Sequence, residues 1–192
     1  MVDRRRSRGD ERRAEILDAA LETFAEKGFR GASLAAIAER VGLTQQGLLH
    51  YFPSKEELLV EVLKLRDERD TDALGDNADG STMSLNALST LVEVNAGRRG
   101  IVQSFTVLSA DSVTDDHPAR DYFVDRYRRV RRKFAAVVAA ECGDQLPSGM
   151  DPEQAATLII AVMDGLQLQW LLSDGEVDMP ALFRHFVALL RD

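Results

Sequence analysis

Two adjacent glutamines and a glycine, Gln45-Gln46-Gly47, follow a threonine, Thr44, that is suited to capping a helix. A glutamine amide can bond an adenine edge bidentately, and a glycine lets a backbone come close to a base. If the triplet opens a helix, its chemistry is the reading of nucleic acid. The chain offers little for making or breaking bonds. Its three histidines, His50, His117 and His185, form no recognisable pair. It has no P-loop, no Gly-x-Ser-x-Gly, no His-Glu-x-x-His and no dinucleotide fingerprint. Asp115-Asp116-His117 looks like a metal cluster only superficially, because adjacent ligands at a loop end rarely converge. Cys142 stands alone beside Glu141, which suits neither a disulfide nor a nucleophile. The sequence therefore predicts no enzyme, no metal and no cofactor.

The elements that must position the glutamines follow from apolar spacing. Ile16, Leu17, Ala20, Leu21 and Phe24 recur at helical intervals, and Gly28 stops that helix. Ser33 caps a short helix over 33–41, Gly42 ends it, and Thr44 caps a second short helix over 45–51. The Gly-containing turn 42–44 makes the pair a helix-turn-helix, with Ala38 small enough to let the helices approach. In that geometry the second helix enters the major groove, with Gln45, Gln46 and Gly47 toward base edges. Ser54 begins a longer helix. Residues 70–82, polar and acidic with Gly75 and Gly80, read as a linker. Further helices are expected over 84–96, 101–112, 118–141, 152–172 and 180–190, three of them opening on a proline. The fold class is all-α, divided into a flexible basic arm (1–9), a helix-turn-helix domain (10–53), a connecting helix (54–69) and a second helical domain (70–192).

The chain has 192 residues and a net charge of −8, which suits one large domain or two smaller ones. The first 66 residues carry a net +1 and the remainder −9. Such an N-terminal third can bind nucleic acid even though the chain is acidic overall. No apolar run is long enough to span a membrane. Together with the single cysteine, this leads us to expect a reducing, cytoplasmic setting and no membrane partner. The basic run 126–133 interrupts an apolar face at Tyr127, Val130 and Phe134, so its charges are expected on the solvent side of a helix.

Residues 33–59, SLAAIAERVGLTQQGLLHYFPSKEELL, resemble the DNA-binding signature of the TetR family of one-component regulators. Residues 12–33, RRAEILDAALETFAEKGFRGAS, resemble its first helix and turn, and MDGLQLQWLL (163–172) resembles a segment of the second domain in some members. The resemblance implies a homodimeric, ligand-responsive repressor bound to double-stranded operator DNA and released by a small-molecule inducer. It assigns base reading to Gln45, Gln46 and Gly47, and phosphate contacts to Ser33, Thr44, Tyr51 and Lys55. Lys55 also sits at a helix N-terminus, where a cation is disfavoured, and this supports a ligand role. Where the family often has a tyrosine, this chain has Leu49; where some members read bases with a long basic residue, it has Ala35. Recognition then rests on few hydrogen bonds, on shape, and on Arg4, Arg5, Arg6 and Arg8 entering a minor groove.

In the second domain, polar residues interrupting apolar faces mark a candidate pocket. These are Asn95, Gln103, Thr106, Asp164 and Gln167, joined by Phe105, Leu108, Phe134, Met163 and Trp170. Asp164 in an acidic domain points to a cationic or hydrogen-bond-donating ligand. The last two helices are expected to pair with their symmetry mates through Ala161, Gly165, Leu168, Leu172, Phe183, Phe186, Val187 and Leu190. The rival reading is a helical protein-interaction module whose helix-turn-helix does not bind DNA. The overall acidity and Leu49 favour it; the arm, Lys55 and the extended signature oppose it.

Overall fold

The computed structural model describes residues 3–73, 83–174 and 176–191, with side chains described from residue 8 in the first segment and to residue 69 before the gap. The described residues form helices and no strand: α1 (Asp3–Gly31), α2 (Leu34–Arg40), α3 (Gln45–Leu49), α4 (Lys55–Ala73), α5 (Leu85–Ala96), α6 (Arg99–Asp111), α7 (Arg120–Cys142), α8 (Pro152–Leu172) and α9 (Met179–Leu189).

The start signals in the sequence are made by real caps. Ser33 Oγ accepts from Ala36 N (3.2 Å), Thr44 Oγ1 from Gly47 N (3.1 Å) and Ser54 Oγ from Glu57 N (3.0 Å). Asp151 and Gln154 close a reciprocal capping box on α8, with Pro152 in its first turn. Gly28 breaks α1 near its end. Gly42, at φ +66°, makes the left-handed step between α2 and α3 that a side chain would resist. The backbone is helical from Asp3, where the sequence suggests a flexible arm. Arginine is a good helix former, and no proline interrupts residues 3–27. The side chains of Arg4, Arg5 and Arg6 lie outside the described residues, and Arg8 is exposed.

Two cores hold the helices. The first unites α1 to α4 around Ile16, Phe24, Ile37, Leu48, Phe52 and Leu59, and it extends to Phe105 and Leu108 of α6 and Phe123 of α7. The second joins α5, the later half of α7, α8 and α9 around Leu88, Val138, Ile159 and Phe183. The helix-turn-helix therefore does not pack as an island. Ser104 Oγ donates to the Phe24 carbonyl (2.6 Å), and Gly100 lies so close to Ala25 that an added Cβ would stand 3.2 Å from Ala25 Cβ.

α8 is long and apolar enough to cross a membrane by length and composition, although no long apolar run announces it. Its apolarity is divided between two faces. Ala155, Ala156, Ile159 and Ile160 enter the second core. Leu158, Ala161, Leu168 and Leu172 are exposed, and nothing lies within 4 Å of a Cβ placed on Gly165. Positions 158, 161, 165, 168 and 172 follow the alternating three-and-four spacing of a helix-pairing seam. Leu182 and Leu189 of α9 are also exposed. Phe183, Val187 and Leu190 are buried in the protomer's own core, where the sequence places them at an interface, and Phe186 is half-buried. An apolar residue in a helix reads the same in either setting; the phase of the neighbouring helix decides.

Candidate functional site

α2 and α3 form one face of the first core, and what they leave outside is the candidate DNA surface. Gln45 and Gln46 are exposed at the start of α3, and Gly47 is half-buried against Thr44 and Leu43. Leu48 beneath them is fully buried and fixes the helix. The Ser33 and Thr44 hydroxyls are exposed; each accepts its cap bond and keeps an O–H donor for an outside acceptor. Tyr51 is half-buried, and its carbonyl accepts from Arg13 Nη1 (3.1 Å). Arg13 also lies over the Phe52 ring and pairs with Glu61 of α4 at 2.8 Å, locking the end of α3 to α1 and α4.

Lys55 has a structural partner that the sequence does not reveal. Its Nζ donates to the Ala32 carbonyl (2.8 Å) and lies 4.4 Å from the Phe29 ring centroid. The start of α4 is thus tied to the loop that opens the helix-turn-helix. An ammonium has three donors, so two are left beyond the Ala32 bond.

From Lys55, α4 runs some 18 Å to Asp67 at 1.5 Å per residue, and there it becomes the wall of a cavity of about 380 Å³. Leu91 and Asn95 of α5, Phe105 of α6, Val130 and Phe134 of α7, and Ile160, Met163, Asp164 and Gln167 of α8 line its interior. The cavity lies where the two cores meet. The structure brings Asn95, Phe105, Phe134, Met163, Asp164 and Gln167 together there, as the sequence suggests. It does not bring the other four. Gln103 is exposed, and Leu108 packs in the first core. Thr106 is half-buried away from the lining, and Trp170 stacks with Arg99, centroid distance 5.2 Å. Helical rotation carries each of them past the cavity.

Sequence reasoning missed the charged wall. Lys64, Arg66, Asp67 and Glu68 of α4 and Arg126, Arg129 and Lys133 of α7 also line the cavity. The run 126–133 is therefore not all solvent-facing. Arg126 Nε donates to Asp67 Oδ1 (2.7 Å), and Arg129 lies 3.7 Å from Oδ2. The Tyr122 hydroxyl donates to Asp67 Oδ2 (2.6 Å) and sits 3.0 Å from the Leu63 carbonyl. Arg66 and Arg126 both lie over the Phe105 ring, at 4.1 and 4.5 Å. Burial works against the Arg126 charge, but Asp67 more than offsets it and holds the guanidinium above its ordinary pKa. Burial and the Asp67 charge push the Tyr122 phenol upward. The signal for Arg126 was its phase: it stands one turn from Tyr122 and one from Val130, on the inward side of α7.

Asp164 accepts from the Tyr127 hydroxyl (2.7 Å). Burial raises its pKa, which the Tyr127 bond only partly opposes. It is thus a costly carboxylate with a partner already in place, rather than the open cation site its position suggests. No group of three or more His, Cys, Asp or Glu able to hold a metal occurs among the described residues.

An exposed recognition helix, joined by one continuous helix to a cavity with apolar and charged walls, defines a DNA-binding regulator of the helix-turn-helix class. Residues 16–62 match the model of the tetR family of bacterial regulatory proteins, and residues 86–192 match that of the BetI-type transcriptional repressor C-terminal domain. This chain belongs to the TetR family, whose members bind operator DNA and small molecules and act as dimers. The HTH-type transcriptional regulator TtgR of Pseudomonas putida is 27% identical over 93% of this chain and 89% of its own length. The Escherichia coli (strain K12) regulator RutR is 53% identical over 49 residues, covering 26% of this chain and 23% of its own. A TetR-family transcriptional regulator from Rhodococcus sp. superposes with a TM-score of 0.77 at 20% identity, over 95% of this chain and all of that one.

Proposed function

We propose that this protein is a homodimeric repressor that leaves its operator when a small molecule fills the cavity between its two cores. The carrying observation is α4: one end is bonded to the helix-turn-helix through Lys55, and the other forms the cavity wall at Arg66 and Asp67. A ligand that prefers a displaced α4 shifts the population toward a state whose recognition helices no longer match the groove. Gln45, Gln46 and Gly47 read base edges, while Ser33, Thr44, Tyr51, Lys55 and the Arg4–Arg8 arm contact the backbone or an adjacent groove. The α8 seam, with Leu182 and Leu189 of α9, pairs two protomers, placing the recognition helices about 34–36 Å apart on a near-palindromic site. A cytoplasmic location follows from that role.

The test is a gel shift with purified protein and the DNA flanking its own coding region. Specific retardation, reversed by at least one compound from a chemically diverse panel, is the expected result. Absence of any sequence-specific retardation at low salt would overturn it in favour of an interaction module.

A further inference from the structure

The cavity wall is more basic than the acidic domain that supplies most of it: its residues from 67–192 are balanced, and Lys64 and Arg66 of α4 tip it positive. Residues 67–192 carry a net −9. The lining nevertheless holds Lys64, Arg66, Arg126, Arg129 and Lys133 against Asp67, Glu68 and Asp164. The distribution is also ordered by depth. Lys64, Arg129 and Lys133 are exposed at the rim, whereas Arg66 is buried and the Arg126 side chain is only 15% exposed. Of the acids, Asp67 is engaged with Arg126 and Tyr122, Asp164 is bonded to Tyr127 with its charge disfavoured by burial, and Glu68 is exposed at a rim where three cations outnumber it. Between basic rim and interior lie the apolar surfaces of Phe105, Phe134, Ile160 and Met163.

A second observation concerns the interior. Asn95 is 2% exposed, lines the cavity, and its Oδ1 accepts no hydrogen bond. Buried polar atoms are nearly always satisfied; this orphan acceptor stands in the cavity wall closed to water, and rotation of the Asn95 side chain toward an entering group would give it a partner. Oδ1 is an acceptor, so the entering group must be a donor.

Resting on the reading of this cavity as the effector site, we propose that it takes an amphipathic organic anion. The charged group, a carboxylate or sulfonate, joins Arg126 and Arg129 beside Asp67. The apolar body lies against the four hydrophobic residues named above, and an N–H or O–H on that body donates to Asn95 Oδ1. Guanidinium groups suit such anions because they present paired donors. The anion competes with Asp67 for the same guanidiniums, so its arrival loosens the hold of α7 on α4.

A matched pair of fluorescent probes tests this on the intact protein without DNA. 1-Anilinonaphthalene-8-sulfonate carries an aromatic body, an N–H and a sulfonate; N-phenyl-1-naphthylamine has the same body and N–H and no charge. The sulfonate should bind roughly tenfold more tightly than the neutral probe. Arg129→Gln should weaken the sulfonate and leave the neutral probe unchanged. Asp67→Asn should tighten the sulfonate and leave the neutral probe unchanged at an unaltered melting temperature; a loosened fold would instead take up both probes. Asn95→Leu should weaken both probes, and Met163→Trp, by filling the cavity, should abolish both. Equal affinity for the two probes, insensitivity of sulfonate binding to Arg129 and Asp67, or its persistence in Met163→Trp overturns the assignment. None of these readouts uses operator release, so failure of the anion proposal is distinct from failure of the repressor reading.

Discussion

Asp164 carries a cost that pH can expose. Its pKa is raised by burial, so the folded state prefers the protonated acid. The sign follows from proton linkage. Below the unfolded carboxylate pKa, near 3.9, both states are protonated and the stability is complete. As pH rises through the folded value, the unfolded state releases its proton more readily and stability is lost. Asp164→Asn keeps an acceptor for Tyr127 and removes the charge. It should raise the melting temperature at pH 7 and have little effect at pH 3.5, as measured by circular dichroism. The recognition residues divide in a similar way. Gln45→Ala and Gln46→Ala should each relax base preference across an operator library by about 1–3 kcal/mol. Lys55→Ala should weaken all sequences alike, because phosphate contacts position without specifying. Lys55 also bonds Ala32, so its loss should lower the melting temperature too, whereas the exposed glutamines should leave it unchanged.

At the scale of the element, α8 is the helix with two apolar faces, and its outward stripe makes a clear prediction. Leu168→Glu with Leu172→Glu should yield a folded monomer in sedimentation, because both side chains are exposed and the protomer's core does not need them. Gly165→Leu should act the same way if a partner helix closes on it, since nothing in the protomer itself opposes the added side chain. A dimeric and more stable Gly165→Leu would show that the seam lies elsewhere. The helices themselves were legible in the sequence. Ser33, Thr44 and Ser54 each announce a start through a side chain that accepts a backbone N–H three residues on. The rotation of each helix about its axis was less legible. Gln103 and Phe105 are neighbours in α6, and only one reaches the cavity. Arg126 was hidden because a charge in a basic run is usually solvated; only its register with Tyr122 and Val130 showed that it turns inward. Phe183 and Leu168 were indistinguishable as apolar helix residues until α9 was seen to pack against α5 and α8 with Phe183 buried, while Leu168 stays exposed.

For the molecule as a whole, charge and DNA affinity are linked. The protein is acidic, so operator binding must depend on a few cations set against a repulsive background. If two subunits neutralise roughly 6–10 phosphates, affinity should fall about 10³–10⁵-fold between 50 and 200 mM salt, as read by fluorescence anisotropy. A flat salt response would show that the arm and Lys55 do not touch the backbone.

The first core also bears on how this protein can be cut. Phe24, Leu59 and Leu63 belong to the DNA-binding half by sequence, yet they share that core with Phe105, Leu108 and Phe123. A fragment ending at residue 69 would present this greasy underside to water and should aggregate or melt early. A chimera that grafts this reading head onto a relative's sensor at residue 69 inherits the same defect, unless the donor's α6 and the opening turns of its α7 travel with the head. The transferable unit is therefore discontinuous in sequence. Grafts that respect it should melt cooperatively in calorimetry, while grafts made at residue 69 should show two separate transitions.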